Sequence, residues 1–270
     1  NIDSIKANGN HASVLAGEKE YRANWVFNST SIVPHSRYKK KKPPLYLQFN
    51  GWVIETRTST FDEDTVTFLD FRTPQKKSTR FFYLIPYSRT KALVEYTCFI
   101  RPDRLYKSCE NDMRQYIESI LKISDYNITE KEKGCLPLFM DTAQRKQGNR
   151  VFLIGNAAGN LKPSTGYSFT RIQEDSKQIV RSLIERGHPF RVRKKSPFYF
   201  LIDFLMIRVM GRYGEQVSKL FSILFRLNAI ARIFRFLDEK ATLFECYRII
   251  KSLPPDYFYK VIVEEIAQTD

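Results

Sequence analysis

The joint between Val151-Phe152-Leu153-Ile154 and the helical pattern from Ile172 to Ile184 constrains the fold more than any other stretch. The first run reads as a short buried strand and the second as an amphipathic helix. Between them stand Gly155-Asn156-Ala157-Ala158-Gly159 and, shortly after, Pro163-Ser164-Thr165-Gly166-Tyr167. A strand, a loop of small residues and a helix, in that order, form an α/β unit. With few side chains in the way, loop N–H groups and the positive end of the helix are free to face an anion. Close packing of the loop explains the same glycines equally well, so the pattern alone leaves both readings open.

Charge narrows the class of partner. The formal net charge is +15 over 270 residues, which points to a nucleic acid, an anionic membrane surface or a phosphate-bearing cofactor. There is no zinc-finger spacing and no RNA-recognition motif, so no nucleic acid is expected. The densest basic run, Arg37 to Lys42, is short, ends in Pro43-Pro44 and reads as a solvated linker. Cys98, Cys109, Cys135 and Cys246 lack metal-ligand spacing, so no metal site is expected, and the thiols read as reduced and cytoplasmic. His11, His35 and His188 fall in turn-like or linker-like places, which argues against a hydrolase triad. No run reaches the roughly 20 apolar residues of a membrane span. The 21 Phe and 15 Tyr suit either a large core or a cavity for a large apolar ligand.

The pattern along the chain predicts a small β-meander over residues 1 to 30, with turns at Asn8-Gly9-Asn10 and Ala16-Gly17-Glu18. Four antiparallel strands follow: Leu45–Glu55, Thr65–Phe71, Thr79–Ile85 and Ala92–Ile100. On the last, alternation puts Leu93, Glu95, Thr97 and Phe99 on one face, so a carboxylate projects among apolar groups. Residues 109 to 123 read as an amphipathic helix, and 128 to 140 as strand or loop. From about 197 to 250 the chain is helical, apolar and basic together, with Phe198 to Met210 and Val217 to Leu237 as its apolar runs.

Several of these segments carry a resemblance. Gly155-Asn156-Ala157-Ala158-Gly159 with Pro163-Ser164-Thr165-Gly166 resembles the second FAD motif of hydroxylase-like flavoproteins, Gly-Asp-Ala-Ala followed by Pro-x-Thr-Gly. Asn156 stands where the wider superfamily has Asp; an Asn still hydrogen-bonds a ribityl hydroxyl. The longer pattern through Tyr167 and Arg171 is similar to the signature of the flavin-dependent lycopene cyclases of bacterial type. Gln48 to Glu55 resembles their Gln-x-x-Gly-x-x-Val-Glu segment, and Leu69-Asp70-Phe71-Arg72 their Met-Asp-(Phe/Trp)-Arg. Phe82 to Pro86 followed by Ala92 to Thr97 looks like the stretch that holds their catalytic carboxylate. Gly134-Cys135-Leu136-Pro137 resembles their Gly-x-(Ile/Leu)-Pro. These segments keep family order over about residues 48 to 171.

The resemblance implies lycopene β-cyclisation in carotenoid biosynthesis, with no net redox change, yet needing reduced FAD and NAD(P)H as electron source. Gly155, Asn156, Ala157, Ala158, Gly159, Pro163, Ser164, Thr165, Gly166 and Tyr167 are its implied cofactor residues. Glu95 is the implied acid/base, and Glu55, Asp70 and Arg72 are the second candidates. For Asp70 and Arg72 a structural ion pair bracing the sheet is an equal expectation. The C-terminal helices either close the core or lay an apolar face on an anionic membrane, where a linear carotene dissolves. The implied location is cytoplasmic, peripheral to the inner membrane. The alternatives are a related FAD-dependent isoprenoid reductase or monooxygenase, or a non-catalytic carotenoid-binding or membrane-binding fragment.

The family's opening strand and Gly-x-Gly-x-x-Gly turn are absent from these residues, so an N-terminally truncated cofactor domain is expected. The expected fold is α/β: a Rossmann-like FAD/NAD(P)-binding domain lacking its N-terminal part, an antiparallel substrate sheet and a helical cap. The expected boundaries are 1–44 for the cofactor-domain remnant and linker, 45–145 for the sheet, 146–187 for the return to the cofactor domain and 188–270 for the helices.

Overall fold

Glycines at positive φ make the tight turns of the first strands, whereas Gly51 and Gly134 lie inside strands. The computed structural model describes residues 1–30, 43–106, 108–140, 145–192 and 196–267. The basic run at 37–42 and His35 lie outside the described residues. The chain divides into two units, each considered by itself: Asn1–Lys42 with Phe139–Phe204, and Pro43–Leu138 with Leu205–Asp270.

The first unit opens with an antiparallel meander of β1 (Ser4–Asn8), β2 (His11–Ala16) and β3 (Lys19–Ala23). Gly9 and Gly17 take φ of +57° and +61° at its two turns, a conformation that costs glycine nothing. β4 (Val26–Asn28) leaves the meander and pairs in parallel with β11 (Val151–Leu153). β10 (Lys146–Gln147) adds an antiparallel edge to β11. α2 (Phe169–Arg186) follows, ended by Gly187 at φ +68°. Ile5, Ala12 and Val151 form a small buried cluster, with Val14 and Val26 against it.

The second unit is a five-stranded antiparallel sheet in the order β6-β7-β8-β5-β9. Its strands are β5 (Leu45–Glu55), β6 (Thr67–Asp70), β7 (Thr79–Ser88), β8 (Lys91–Ile100) and β9 (Asn127–Leu138). Residues 128–140, open between strand and loop in the sequence, are mostly strand because β5 gives them a long partner. One face carries Trp52, Ile54, Phe82, Val94, Tyr96 and Cys98 into the main core. Met113 of α1 (Glu110–Gln115) packs there, with Tyr116 and Ile117 of the wider turn Tyr116–Ile120. The amphipathic helix expected over 109–123 is thus helical in its first part and then widens, which lets Tyr116 stack on Phe82 at 3.8 Å between ring centres.

α3 (Pro197–Tyr213) begins the helical C-terminal part, followed by α4 (Val217–Leu227), α5 (Ile230–Leu237), α6 (Leu243–Ser252) and α7 (Asp256–Ala267). The apolar run Val217 to Leu237 is two helices, because Asn228 is extended at φ −129°, ψ 140°. Its side-chain amide donates to Leu224 O at 3.1 Å and to Ser252 Oγ at 2.8 Å, tying the break to α6. Among the described residues no helix is long and apolar enough to cross a membrane.

Candidate active site

In the first unit, the parallel strands β4 and β11 end side by side, and each hands over to a loop. Ile154 N–H donates to Asn28 O at 2.9 Å, and Asn28 itself accepts from Thr30 through its side chain. A ligand in an open α/β sheet sits outside the C-terminal ends of its parallel strands, and this is such an edge. A short 3₁₀ turn, Gly155–Ala158, follows β11 at once. Gly155, Gly159 and Gly166 have φ of +59°, +72° and +77°. A Cβ built on Gly155 would meet only Ser29 Cβ, at 3.7 Å, so that glycine serves backbone conformation rather than close packing.

The loop is stiffened from behind. Asn160 Nδ2 donates to Asp175 Oδ2 of α2 at 2.9 Å, and Arg145 grips the same carboxylate with two bonds of 2.6 and 2.7 Å. The Pro163–Gly166 turn closes on Lys162: Gly166 N–H donates to Lys162 O at 2.8 Å, and Lys162 N–H to Tyr167 O at 2.7 Å. Behind the turn lies a buried cluster around Asp203 of α3, which is 2% exposed. Lys162 Nζ stands 2.8 Å from Asp203 Oδ1, Ser164 Oγ donates to Oδ1 at 2.5 Å, and Arg171 Nη2 lies 4.0 Å from Oδ2. Burial pushes the Lys162 ammonium below its ordinary range, against the pull of Asp203. Asn156 and Tyr167 are exposed, whereas the Ser164 hydroxyl turns inward to Asp203. Ser168 begins α2 without a side-chain capping bond, and its carbonyl accepts from Ile172 N–H at 2.8 Å.

In the second unit, Glu95 lies on the sheet face opposite the main core. Strand pairing puts it level with Tyr83 of β7 on one side and Gly51 of β5 on the other. Leu93, Thr97, Phe49, Phe81, Tyr83 and Phe99 share this face. Phe68 and Phe71 of the β6 segment extend it, and Phe221, Phe225 and Phe234 from α4 and α5 pack on them at ring-centre distances of 5.8–6.0 Å. Burial is the main force raising the Glu95 carboxyl above the usual carboxylate range. A hydrogen bond from Thr97 Oγ1 at 2.9 Å opposes it, and the neighbouring Glu132 adds to it.

Glu55 occupies the far end of the same face, where Lys91 Nζ holds it in a half-exposed ion pair at 3.0 Å. Asp70 and Arg72 are not beside Glu95. Thr67 pairs with Leu84 and Asp70 with Phe82, so three steps on β6 match two on β7. This bulge, with Leu69 at φ +58°, turns Asp70 to the core face. There Asp70 accepts from Arg72 Nη2 at 2.6 Å and from Tyr116 Oη at 2.7 Å. The structure therefore gathers Glu95 with an aromatic wall, sets Glu55 at its margin and places Asp70 on the opposite face, bonded to Arg72 and Tyr116. Sequence reading missed Lys162, Asp175, Asp203 and Glu132, whose partners are all distant along the chain.

A sequence profile described as "Lycopene cyclase protein" matches residues 1–260. The chain is 29% identical over 160 residues to the chloroplastic lycopene beta cyclase of Arabidopsis thaliana, a match covering 55% of this chain and 31% of that protein. It thus spans about a third of the length of the curated relatives it matches. Among solved structures, a Klebsiella pneumoniae HpxO variant complexed with FAD superposes with a TM-score of 0.53 at 14% identity, covering 94% of this chain and 68% of that one. A flavoprotein/dehydrogenase from Cytophaga hutchinsonii gives 0.53 at 16%, covering 82% and 58%. At such identities the likeness is one of fold, and that fold is the mixed α/β one of these flavoproteins. The profile match covers nearly the whole chain, and the chain belongs to that family, the lycopene cyclases.

Proposed function

We propose that the protein closes the linear ends of lycopene into β-ionone rings, giving β-carotene, in a reaction that needs reduced FAD. The observation that carries this reading is Glu95, a carboxyl raised in pKa on an aromatic sheet face, in a chain of this family. Alkenes are poor bases, so the acid that protonates one must keep its proton at neutral pH. Glu95 gives its proton to the terminal double bond. The neighbouring double bond attacks the resulting cation and closes a six-membered ring. A ring proton then leaves, and the product is an isomer of the substrate. The faces of Phe49, Phe68 and Tyr83 offer π density to the cation. The apolar wall keeps out water that would trap it as an alcohol.

The loop fits a flavin dinucleotide in two respects: left-handed glycines and small side chains, both at a parallel-strand edge. Gly155 to Gly159 and Pro163 to Tyr167 are the residues that would hold it. When bound and reduced by NAD(P)H, FAD supplies negative charge that favours a nearby cation.

The protein is further proposed to work in the cytoplasm, on the anionic inner membrane in which its substrate dissolves. Leu243, Phe244, Tyr247 and Ile250 form one exposed stripe on α6, with Arg248 and Lys251 folded over Phe244 and Tyr247. An apolar stripe flanked by cations suits an anionic lipid surface.

The test is a pigment analysis of lycopene-accumulating bacteria that express the full reading frame. β-Carotene is expected from the wild type, and ~10²–10⁴-fold less from Glu95→Gln. Unchanged lycopene, with folded protein and bound flavin, overturns the reading. NAD(P)H consumed in proportion to product points instead to an isoprenoid reductase or monooxygenase.

A further inference from the structure

Strand register brings a second carboxylate to Glu95. On β8, β5 and β9, three residues lie in one row: Glu95 pairs with Gly51, and Gly51 pairs with Glu132. Side chains of directly paired residues point to the same face, so Glu95 and Glu132 project together on either side of a residue that has none. Any other residue at the centre would separate them. A Cβ built on Gly51 would lie 2.7 Å from both Cγ and Oε1 of Glu132, which means Glu132 already leans into that space. Glu132 is a like charge beside Glu95 and works, after burial, to raise its carboxyl. Two carboxylates brought together on one face favour the state in which one keeps its proton.

Among the described residues neither Glu95 nor Glu132 has a salt bridge. Thr97 donates to Glu95 at 2.9 Å, and Tyr83 stands opposite on β7. Lys91, four residues back on β8, is taken by Glu55 at 3.0 Å and Glu130 at 3.8 Å. The helices packed on this face, α4 and α5, meet it with Phe221, Phe225 and Phe234. A second glycine extends the device: a Cβ on Gly134 would fall 2.3 Å from Phe49 Cζ, so the Phe49 ring lies over that bare backbone, next to the pair.

We infer that Glu132 shares one proton with Glu95 across Gly51, and that this pair, rather than Glu95 alone, is the acid–base device of the ring closure. The inference rests on the cyclase reading for its reaction and on the register for its geometry. In each turnover one O–H bond of the pair breaks and a C–H bond forms from the π electrons of the terminal alkene. The neighbouring π pair makes the ring C–C bond. The proton that leaves the ring returns to the carboxylate pair, so protons and electrons both balance. Glu132 acts through Glu95 and is a positioning residue: its charge holds the shared proton on the pair until the alkene takes it.

The experiment uses the full chain with ¹³C-carboxyl-labelled glutamate, followed by NMR against pH, beside the pH profile of kcat on lycopene. Wild type should show two coupled titrations, the upper one above the ordinary carboxylate range. Glu132→Gln removes a like charge, so the Glu95 titration and the alkaline limb of kcat should both move to lower pH, by about one unit, with kcat down ~10-fold or more. Gly51→Ala keeps both carboxylates but wedges them apart, and should shift Glu95 in the same direction. A Glu95 titration and alkaline limb unmoved in both folded variants overturn the inference. Coupled titration together with unchanged lycopene in the wild type overturns the cyclase reading and supports the proton-sharing pair.

Discussion

Asp70 illustrates how one bulge decides which face a residue takes. Its carboxylate is 8% exposed and accepts from the Arg72 backbone and side chain and from Tyr116 Oη. Burial works to raise its pKa, but the bonds from Arg72 and Tyr116 outweigh burial, and the net direction is down. A carboxylate whose folded pKa is depressed stabilises the fold at all pH above its unfolded value, near ~3.9, and loses that contribution as pH falls through the folded value. Asp70→Asn should therefore cost ~1.5–3 kcal/mol at pH 7, read from denaturant unfolding. The difference from wild type should shrink steadily below about pH 4. A catalytic Asp70 would instead lose activity with no change in stability.

At the scale of elements, α3 holds the loop that α2 presents. Asp203 takes Lys162 from one side of the turn and Ser164 from within it, so Pro163 is fixed between two anchored neighbours. Lys162 and Asp203 side chains are each 3% exposed. Removing one charge from such a pair leaves the other in a medium that solvates it poorly, at a cost of about 3–5 kcal/mol. Asp203→Asn should lower the thermal midpoint accordingly. In protein that remains folded it should also weaken FAD binding, read by flavin fluorescence titration. Intact affinity in a destabilised variant would show that the cluster serves the fold alone.

For the whole molecule, the proposed membrane contact draws on the +15 charge and on the exposed apolar stripe of α6. α7 adds Tyr259, Ile262, Val263 and Ile266, also exposed at helical spacing. The protein should co-sediment with vesicles containing phosphatidylserine more than with neutral ones. Raising salt from ~0.05 to 0.5 M should remove only the anionic increment, because screening spares the apolar contact. Leu243→Ser with Phe244→Ser should reduce binding to both kinds of vesicle. Equal binding by this variant would assign the membrane contact elsewhere.

Sequence by itself determined what depends on neighbours along the chain. The bounds of β5 follow from its composition and flanking signals, the meander turns from Gly9 and Gly17, and the strand–loop–helix joint from Gly155 to Gly166. The face of Glu95 follows from alternation on β8, because side-chain direction in an unbroken strand is a local property. Alternation does not carry across a break in a strand: only the β6–β7 register reveals the bulge that turns Asp70 to the core face. Glu132 and Asp203 were illegible for a related reason. Their meaning lies in residues some forty positions away, brought close by strand pairing and by burial of an ion pair. Only the tertiary structure sets Glu132 across Gly51 from Glu95, since register is a long-range choice made by the whole sheet.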